Sequence, residues 1–213
     1  LPCVRLYGSD EASLRPAPET LEGLDVLVID LQDIGARYYT YVATALYCAQ
    51  VCGALGVDVI VCDRPNPLGG LVLEGNVVEQ GWDSFVGAFP AATRHAMTLA
   101  ELMRWMMSVG LLDCEMTVVP MTGWRREMWF DQTGQPWVMP SPNMPTLDTA
   151  TVYPGMCLLE GTNMSEGRGT TRPFELFGAP WLDAPALLKR LDARALPGCA
   201  WRLAGFRPGF QKH

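Results

Sequence analysis

The sequence predicts an α/β fold: a Rossmann-like, doubly wound, mainly parallel sheet with long loops, plus the start of a smaller C-terminal α+β domain. Three observations predict it. Residues 24–30 and 57–62 are apolar runs rich in Val and Ile, the pattern of strands buried on both faces. Between them Tyr38, Tyr41, Val42, Ala45, Leu46, Ala49 and Cys52 recur at three- and four-residue spacing, as on one face of a helix. Strand, helix and strand in so short a span form a βαβ unit, with parallel strands and a right-handed crossover.

The remaining elements follow in order. Residues 1–8 read as a strand already under way, and the last nine residues close no helix or strand, so both ends look cut. The first helix is ended by Gly53 and Gly56. Thr98 and Glu101 form a capping box ahead of Leu99, Leu102, Met103 and Met106, and Gly110 ends that second helix. A strand over 115–119 and a fourth over 156–159 are expected. After Pro173 the pattern weakens to one short helix over 185–194. The expected division is a Rossmann-like domain over 1–175 and the beginning of a C-terminal domain over 176–213. Two irregular stretches, 64–90 and 123–154, exceed ordinary connections, and loops that long are commonly functional.

Composition narrows the function. The chain has 213 residues, 49% apolar and 18% charged, with a net charge of -7. Its lysines are Lys189 and Lys212, and no basic run exists, so neither nucleic acid nor an anionic membrane is an expected partner. No apolar run is long enough to span a bilayer. The seven cysteines (Cys3, Cys48, Cys52, Cys62, Cys114, Cys157 and Cys199) lie mostly in apolar patterns and read as buried small hydrophobes. Cys48 and Cys52 have no nearby His to complete a metal site, so no metal is expected. Neither a Gly-x-Gly-x-x-Gly turn nor a phosphate loop is present, so no nucleotide cofactor is expected. A serine nucleophile elbow is also missing, and His95 is the sole interior His.

Ligands of open α/β sheets bind beyond the carboxyl ends of the strands. There the sequence places Asp30, Gln32, Asp33 and Arg37; then Asp63, Arg64 and Asn66; then the polar run 160–172. Carboxylates, amides, Arg and Trp are the groups that bind and cleave carbohydrates, with Asp30, Asp63, Glu74, Glu160, Glu166 and Glu175 as the acidic candidates. Each has a plainer reading. Asp30 and Asp63 could cap the helix or turn after their strands, and Glu74 reads as a turn residue on pattern alone. Glu160 and Glu166 could form salt bridges with Arg168 or Arg172. The tryptophans are more often core, and His95 is more often structural.

At these residues the chain closely resembles the NamZ-type exo-β-N-acetylmuramidases, a bacterial family long listed as a domain of unknown function. The matching motifs are DLQDIGARYYTY at 30–41, DRPNPLGG at 63–70, Glu74-Gly75, SPNMPT at 141–146 and EGTNMSEGRGTTRPFE at 160–175. They run in order over essentially the whole chain. The resemblance implies a Rossmann-like domain, a smaller C-terminal domain and an active site in the cleft between them. It implies release of N-acetylmuramic acid from the non-reducing ends of peptidoglycan fragments, in an extracytoplasmic setting, with Glu74 as a cleft glutamate. It also implies an acidic segment upstream of Leu1. One departure is Ala96, where the family usually has Gly.

Together these readings make Glu74, Glu160 and Glu166 the expected catalytic set. Asp30, Gln32, Arg37, Asp63, Arg64, Asn66, Asn143, Asn163 and Arg168 are the expected substrate contacts. The rival expectations are a non-catalytic muropeptide-binding protein on the same fold and a hydrolase of another amino sugar. The lactyl carboxylate of N-acetylmuramic acid calls for a fixed cation, and Arg matches a carboxylate's geometry. Arg37, Arg64, Arg168 and Arg172 are the candidates, with Arg168, between two glycines, the first choice.

Overall fold

The computed structural model describes residues 3–209. The expectations for the two ends fall partly outside them, at 1–2 and 210–213. The chain divides into two compact units, Leu1–Pro140 and Ser141–His213.

The first unit is built on a parallel three-stranded sheet. A single helical turn, α1 (Pro18–Leu21), precedes β1 (Val26–Ile29); α2 (Tyr41–Leu55) leads into β2 (Asp58–Cys62), and α3 (Leu99–Ser108) into β3 (Met116–Val119). The strand order is β1-β2-β3, with Val28 opposite Ile60 and Ile60 opposite Thr117. The α/β class and the parallel pairing are those expected.

Crossovers of one hand between successive neighbours put both connecting helices on the same face, and the burial pattern agrees. Leu27, Ile29, Val59, Val61, Met116 and Val118 pack with Val42, Leu46, Leu99, Leu102 and Met106 in one core. The opposite face is open at Val26 and Val28, the latter 57% exposed. Burial of β1 on both faces was the expectation, and it fails. The apolar run marks the strand correctly, but among the described residues α2 and α3 cover only one side. Residues 3–8 form no strand either. No neighbouring strand offers them a ladder among the described residues, and the Tyr7 hydroxyl instead meets Thr44 Oγ1 at 2.7 Å.

Local chemistry sets the helix ends. Gly56 closes α2 at φ +71°, its N–H reaching the Cys52 and Gly53 carbonyls, and β2 starts two residues later. Gly53 has another function: a Cβ there would lie 1.9 Å from the Asp113 carbonyl, so only glycine lets α2 approach that loop. At the start of α3 the Thr98–Glu101 capping box is formed as read from the sequence.

The second unit is mostly irregular. It contains α4 (Leu147–Met156), a 3-10 segment over Cys157–Gly161, and α5 (Ala184–Ala193) capped by Asp183. The fourth strand expected over 156–159 is absent; those residues end α4 and continue into the 3-10 turn. Four apolar residues cannot distinguish a strand from a buried helical turn. Thr146, whose hydroxyl accepts from Thr149 N at 3.2 Å, starts a helix that runs through Pro154. Beyond it, Ser165 and Gly178 make a two-bond antiparallel bridge, and Tyr153 packs edge-on against Phe174, ring centroids 4.7 Å apart.

Candidate active site

In the first unit the three strands point their carboxyl ends at a cavity of about 630 Å³, within the ~300–1,000 Å³ typical of ligand pockets. Asp30 follows β1 directly, and Asp63 and Arg64 follow β2; Gln32 completes this side. Beyond β3, Met121, Thr122, Trp124, Met128 and Phe130 line the rest. The site therefore forms where the sheet topology places it.

Asp30 and Arg64 form its charged pair, with Arg64 Nε donating to Asp30 Oδ1 at 2.6 Å. This bond holds the Asp30 carboxyl below its ordinary value of 3.8 and pushes the Arg64 guanidinium up. Asp30 is thus ionised at neutral pH, which suits hydrogen-bond acceptance and excludes it as a general acid there. Asp63 faces the same cavity but is committed elsewhere. Its Oδ2 accepts from Thr98 Oγ1 at 2.9 Å and its Oδ1 from Ala100 N at 3.0 Å. It is a second cap on α3, where a negative charge is favoured by the helix dipole. Gln32 ties the two loops together, its amide donating to the carbonyls of Asp33 (2.6 Å) and Pro65 (2.9 Å).

The other first-unit residues read from the sequence line no part of this cavity. Asn66 is buried, donating to Met97 O and accepting from Leu68 N. A Cβ on Gly35, at φ +84°, would lie 2.5 Å from its Oδ1, so this Asn and this Gly require one another. Arg37 donates to the carbonyls of Asn76 (2.5 Å) and Ala91 (2.6 Å), and burial lowers its pKa. It borders a shallower hollow of about 360 Å³ beside Trp82. Glu74 is largely exposed and accepts from Arg94 Nη1 at 2.7 Å, while the Arg94 guanidinium sits 5.5 Å from the Trp129 ring centre. His95 is fully buried, as a structural His should be. Its Nδ1 accepts from Met97 N at 3.2 Å, and its Nε2 lies 3.2 Å from Asp33 Oδ2. Ala96 beside it has φ +56°, the left-handed conformation for which glycine is suited.

The second unit holds the other acidic candidates. Glu166 is buried and accepts from Arg168 Nε at 2.6 Å; Arg168 Nη2 lies 3.6 Å from Glu160. Burial acts to lower the Arg168 pKa, but the two glutamates outweigh it and the net shift is upward. Arg172 pairs with Glu175 at 2.7 Å, and the other Glu175 oxygen accepts from Thr149. Asn143 is half-buried in the turn closed by Met144 N and Ser141 O, and Asn163 is exposed. Phe174 is buried with φ +62°, a conformation a bulky residue adopts only under tertiary constraint. The thiol of Cys157 is pushed up to about 12 by burial, so it is no nucleophile at neutral pH.

Sequence reasoning missed the wall formed by Met121, Thr122, Trp124, Met128 and Phe130. The available signal was their position just after β3, the same rule that found Asp30 and Asp63. Among the described residues no group of three or more His, Cys, Asp or Glu is placed to hold a metal, and no helix is long and apolar enough to cross a membrane.

Comparison with known proteins settles the family. The model for the N-terminal domain of the exo-β-N-acetylmuramidase NamZ matches residues 1–148, and that for its C-terminal domain matches residues 151–213. The chain belongs to the NamZ family. It is 45% identical, over all 213 residues, to the peptidoglycan β-N-acetylmuramidase NamZ of Bacillus subtilis (strain 168), covering 51% of that protein. The chain therefore spans about half the length of this curated NamZ relative. Two solved DUF1343 family proteins from Bacteroides fragilis NCTC 9343 are similar in structure. One has a TM-score of 0.89 and 39% identity, covering 97% of this chain and 54% of that one. The other has a TM-score of 0.71 and 34% identity, covering 78% of this chain and 46% of that one.

Proposed function

We propose that the protein carrying this chain is an exo-β-N-acetylmuramidase that releases N-acetylmuramic acid from the non-reducing ends of peptidoglycan fragments. It acts outside the cytoplasm, where that polymer lies. The observation that carries this reading is 45% identity to a named muramidase along the whole chain. A cavity lined by an ionised Asp–Arg pair and aromatic rings supports it as a sugar site. Glu74, largely exposed and bonded to Arg94, lies outside that cavity's lining and is our catalytic carboxylate for a glycosidic bond that projects from it. Glu166, buried and accepting from Arg168, braces its loop.

One observation favours the second reading, a muropeptide-binding protein without turnover: both carboxylates lining the cavity are already bonded, Asp30 to Arg64 and Asp63 to the Thr98 hydroxyl and Ala100 N. A single experiment separates the two. The intact protein is incubated with a MurNAc–GlcNAc disaccharide and the products are analysed. Release of free N-acetylmuramic acid by the wild type, lost in Glu74→Gln, supports the enzyme. Binding with no product supports the binding protein and overturns the proposal.

A further inference from the structure

The four arginines expected to recognise the lactyl group differ sharply in what they already hold. Arg168 lies between Glu166 and Glu160, Arg172 is on Glu175, and Arg37 holds two backbone carbonyls. Arg64 is the one that lines the large cavity. Its Nε is bonded to Asp30 Oδ1, while its two Nη groups and Asp30 Oδ2 have no other hydrogen-bond partner among the described residues. Both side chains remain about half exposed, 45% for Arg64 and 51% for Asp30. The pair therefore presents a donor edge and an acceptor oxygen, side by side and locked together.

Charge decides what such a pair can read. Arg64 is neutralised by Asp30, and Asp63 adds a further negative charge to the cavity lining. Net attraction for an anion is absent, so recognition must come from matching a donor and an acceptor on neighbouring ligand atoms. On an N-acetylmuramyl ring the substituents at C2 and C3 meet that demand. The amide N–H at C2 only donates, and the ether oxygen at C3 only accepts.

We infer that Asp30 and Arg64 read the C2–C3 edge of the sugar, Asp30 accepting the acetamido N–H and Arg64 donating to the oxygen at C3. This rests on the muramidase reading for the choice of sugar. Both are specificity-determining residues, and neither transfers a proton.

The test is calorimetric binding to the intact protein, which requires no turnover. Three probes are used: N-acetylmuramic acid, its 2-deoxy analogue with no nitrogen at C2, and 3-deoxy-N-acetylglucosamine. Arg64→Ala should weaken N-acetylmuramic acid about tenfold to a hundredfold, the worth of a hydrogen bond to a charged group. The same change should alter the 3-deoxy probe less than about threefold, because that probe never made the contact. Asp30→Ala should show its largest loss with N-acetylmuramic acid and a smaller one with the 2-deoxy analogue, which has no donor at C2. Arg64→Lys, which keeps a cationic donor group without the planar fork, should recover part of the affinity, and unchanged melting temperatures confirm folding. Equal losses on all probes, or no binding of N-acetylmuramic acid by the wild type, overturn the inference. Wild-type binding of these sugars in this pattern without glycosidase activity would overturn the muramidase reading alone.

Discussion

Two acid–arginine pairs of equal length do different work in this chain. Asp30–Arg64 and Glu166–Arg168 are each joined by an Nε donor at 2.6 Å. The first is about half exposed and lines a cavity, whereas the Glu166 side chain is 4% exposed and its Arg has a second carboxylate within 3.6 Å. An exposed pair adds little to stability and keeps groups available for a ligand. A buried pair has lost its water, so removing one partner strands the other. Burial and uncommitted valences, more than the residues or their distance, separate a reader from a brace.

The largest expected effect breaks the buried pair. Glu166→Ala removes the nearer of the two carboxylates beside Arg168, and the loss should be about 3 kcal/mol, the low end for a severed buried pair. In a thermal melt that is a fall of roughly 6–12 °C. A change below about 2 °C would make the pair a surface contact in energetic terms. Next is Asp63→Ala. Although Asp63 lines the cavity, it should behave as a cap and cost about 1–2 kcal/mol by denaturant titration. If it instead abolished sugar binding with stability unchanged, Asp63 would belong with the readers.

The next effect has the opposite sign. Ala96→Gly should raise stability by about 0.5–1 kcal/mol, since glycine occupies φ +56° without the steric cost to Ala. A destabilised variant would mean that burial of the Ala96 methyl outweighs the backbone term. The smallest effect concerns pH. The folded pKa of Asp30 lies below its unfolded value, so its contribution is fully present above about pH 4 and lost as pH falls through the folded value. From pH 5 to 8, Asp30→Asn should therefore differ from wild type by a small, constant amount. A difference that grows between pH 5 and 8 would contradict the assigned direction.

Much of this comparison is legible in the sequence. The runs ending at Ile29 and Cys62, the Thr98–Glu101 box and Gly56 mark the βαβ order, because local pattern and tertiary structure agree there. The rule of strand carboxyl ends then places Asp30, Gln32, Asp63 and Arg64 at one cavity. What sequence could not supply was partnership. Asp63 and Asp30 occupy equivalent positions after their strands, yet one caps α3 and the other faces Arg64. Flanking glycines suggest that Arg168 is free to aim, but Glu166 and Glu160 hold it. The strand expected over 156–159 failed because its short apolar run carries no period, and the helix begun at Thr146 runs into it.

On the inferred roles, Arg64 reads ligand while Arg168 braces its loop. The direct measurement is a paired one on the intact protein, with the melting temperature and the N-acetylmuramic acid affinity of Arg64→Ala and Arg168→Ala taken side by side. Arg64→Ala should lose about tenfold to a hundredfold in affinity with a melting temperature within about 2 °C of wild type. Arg168→Ala should melt several degrees lower and, where folded, bind within about threefold of wild type. The reverse pattern, with Arg168→Ala weak in binding but stable and Arg64→Ala unstable but tight, would contradict it.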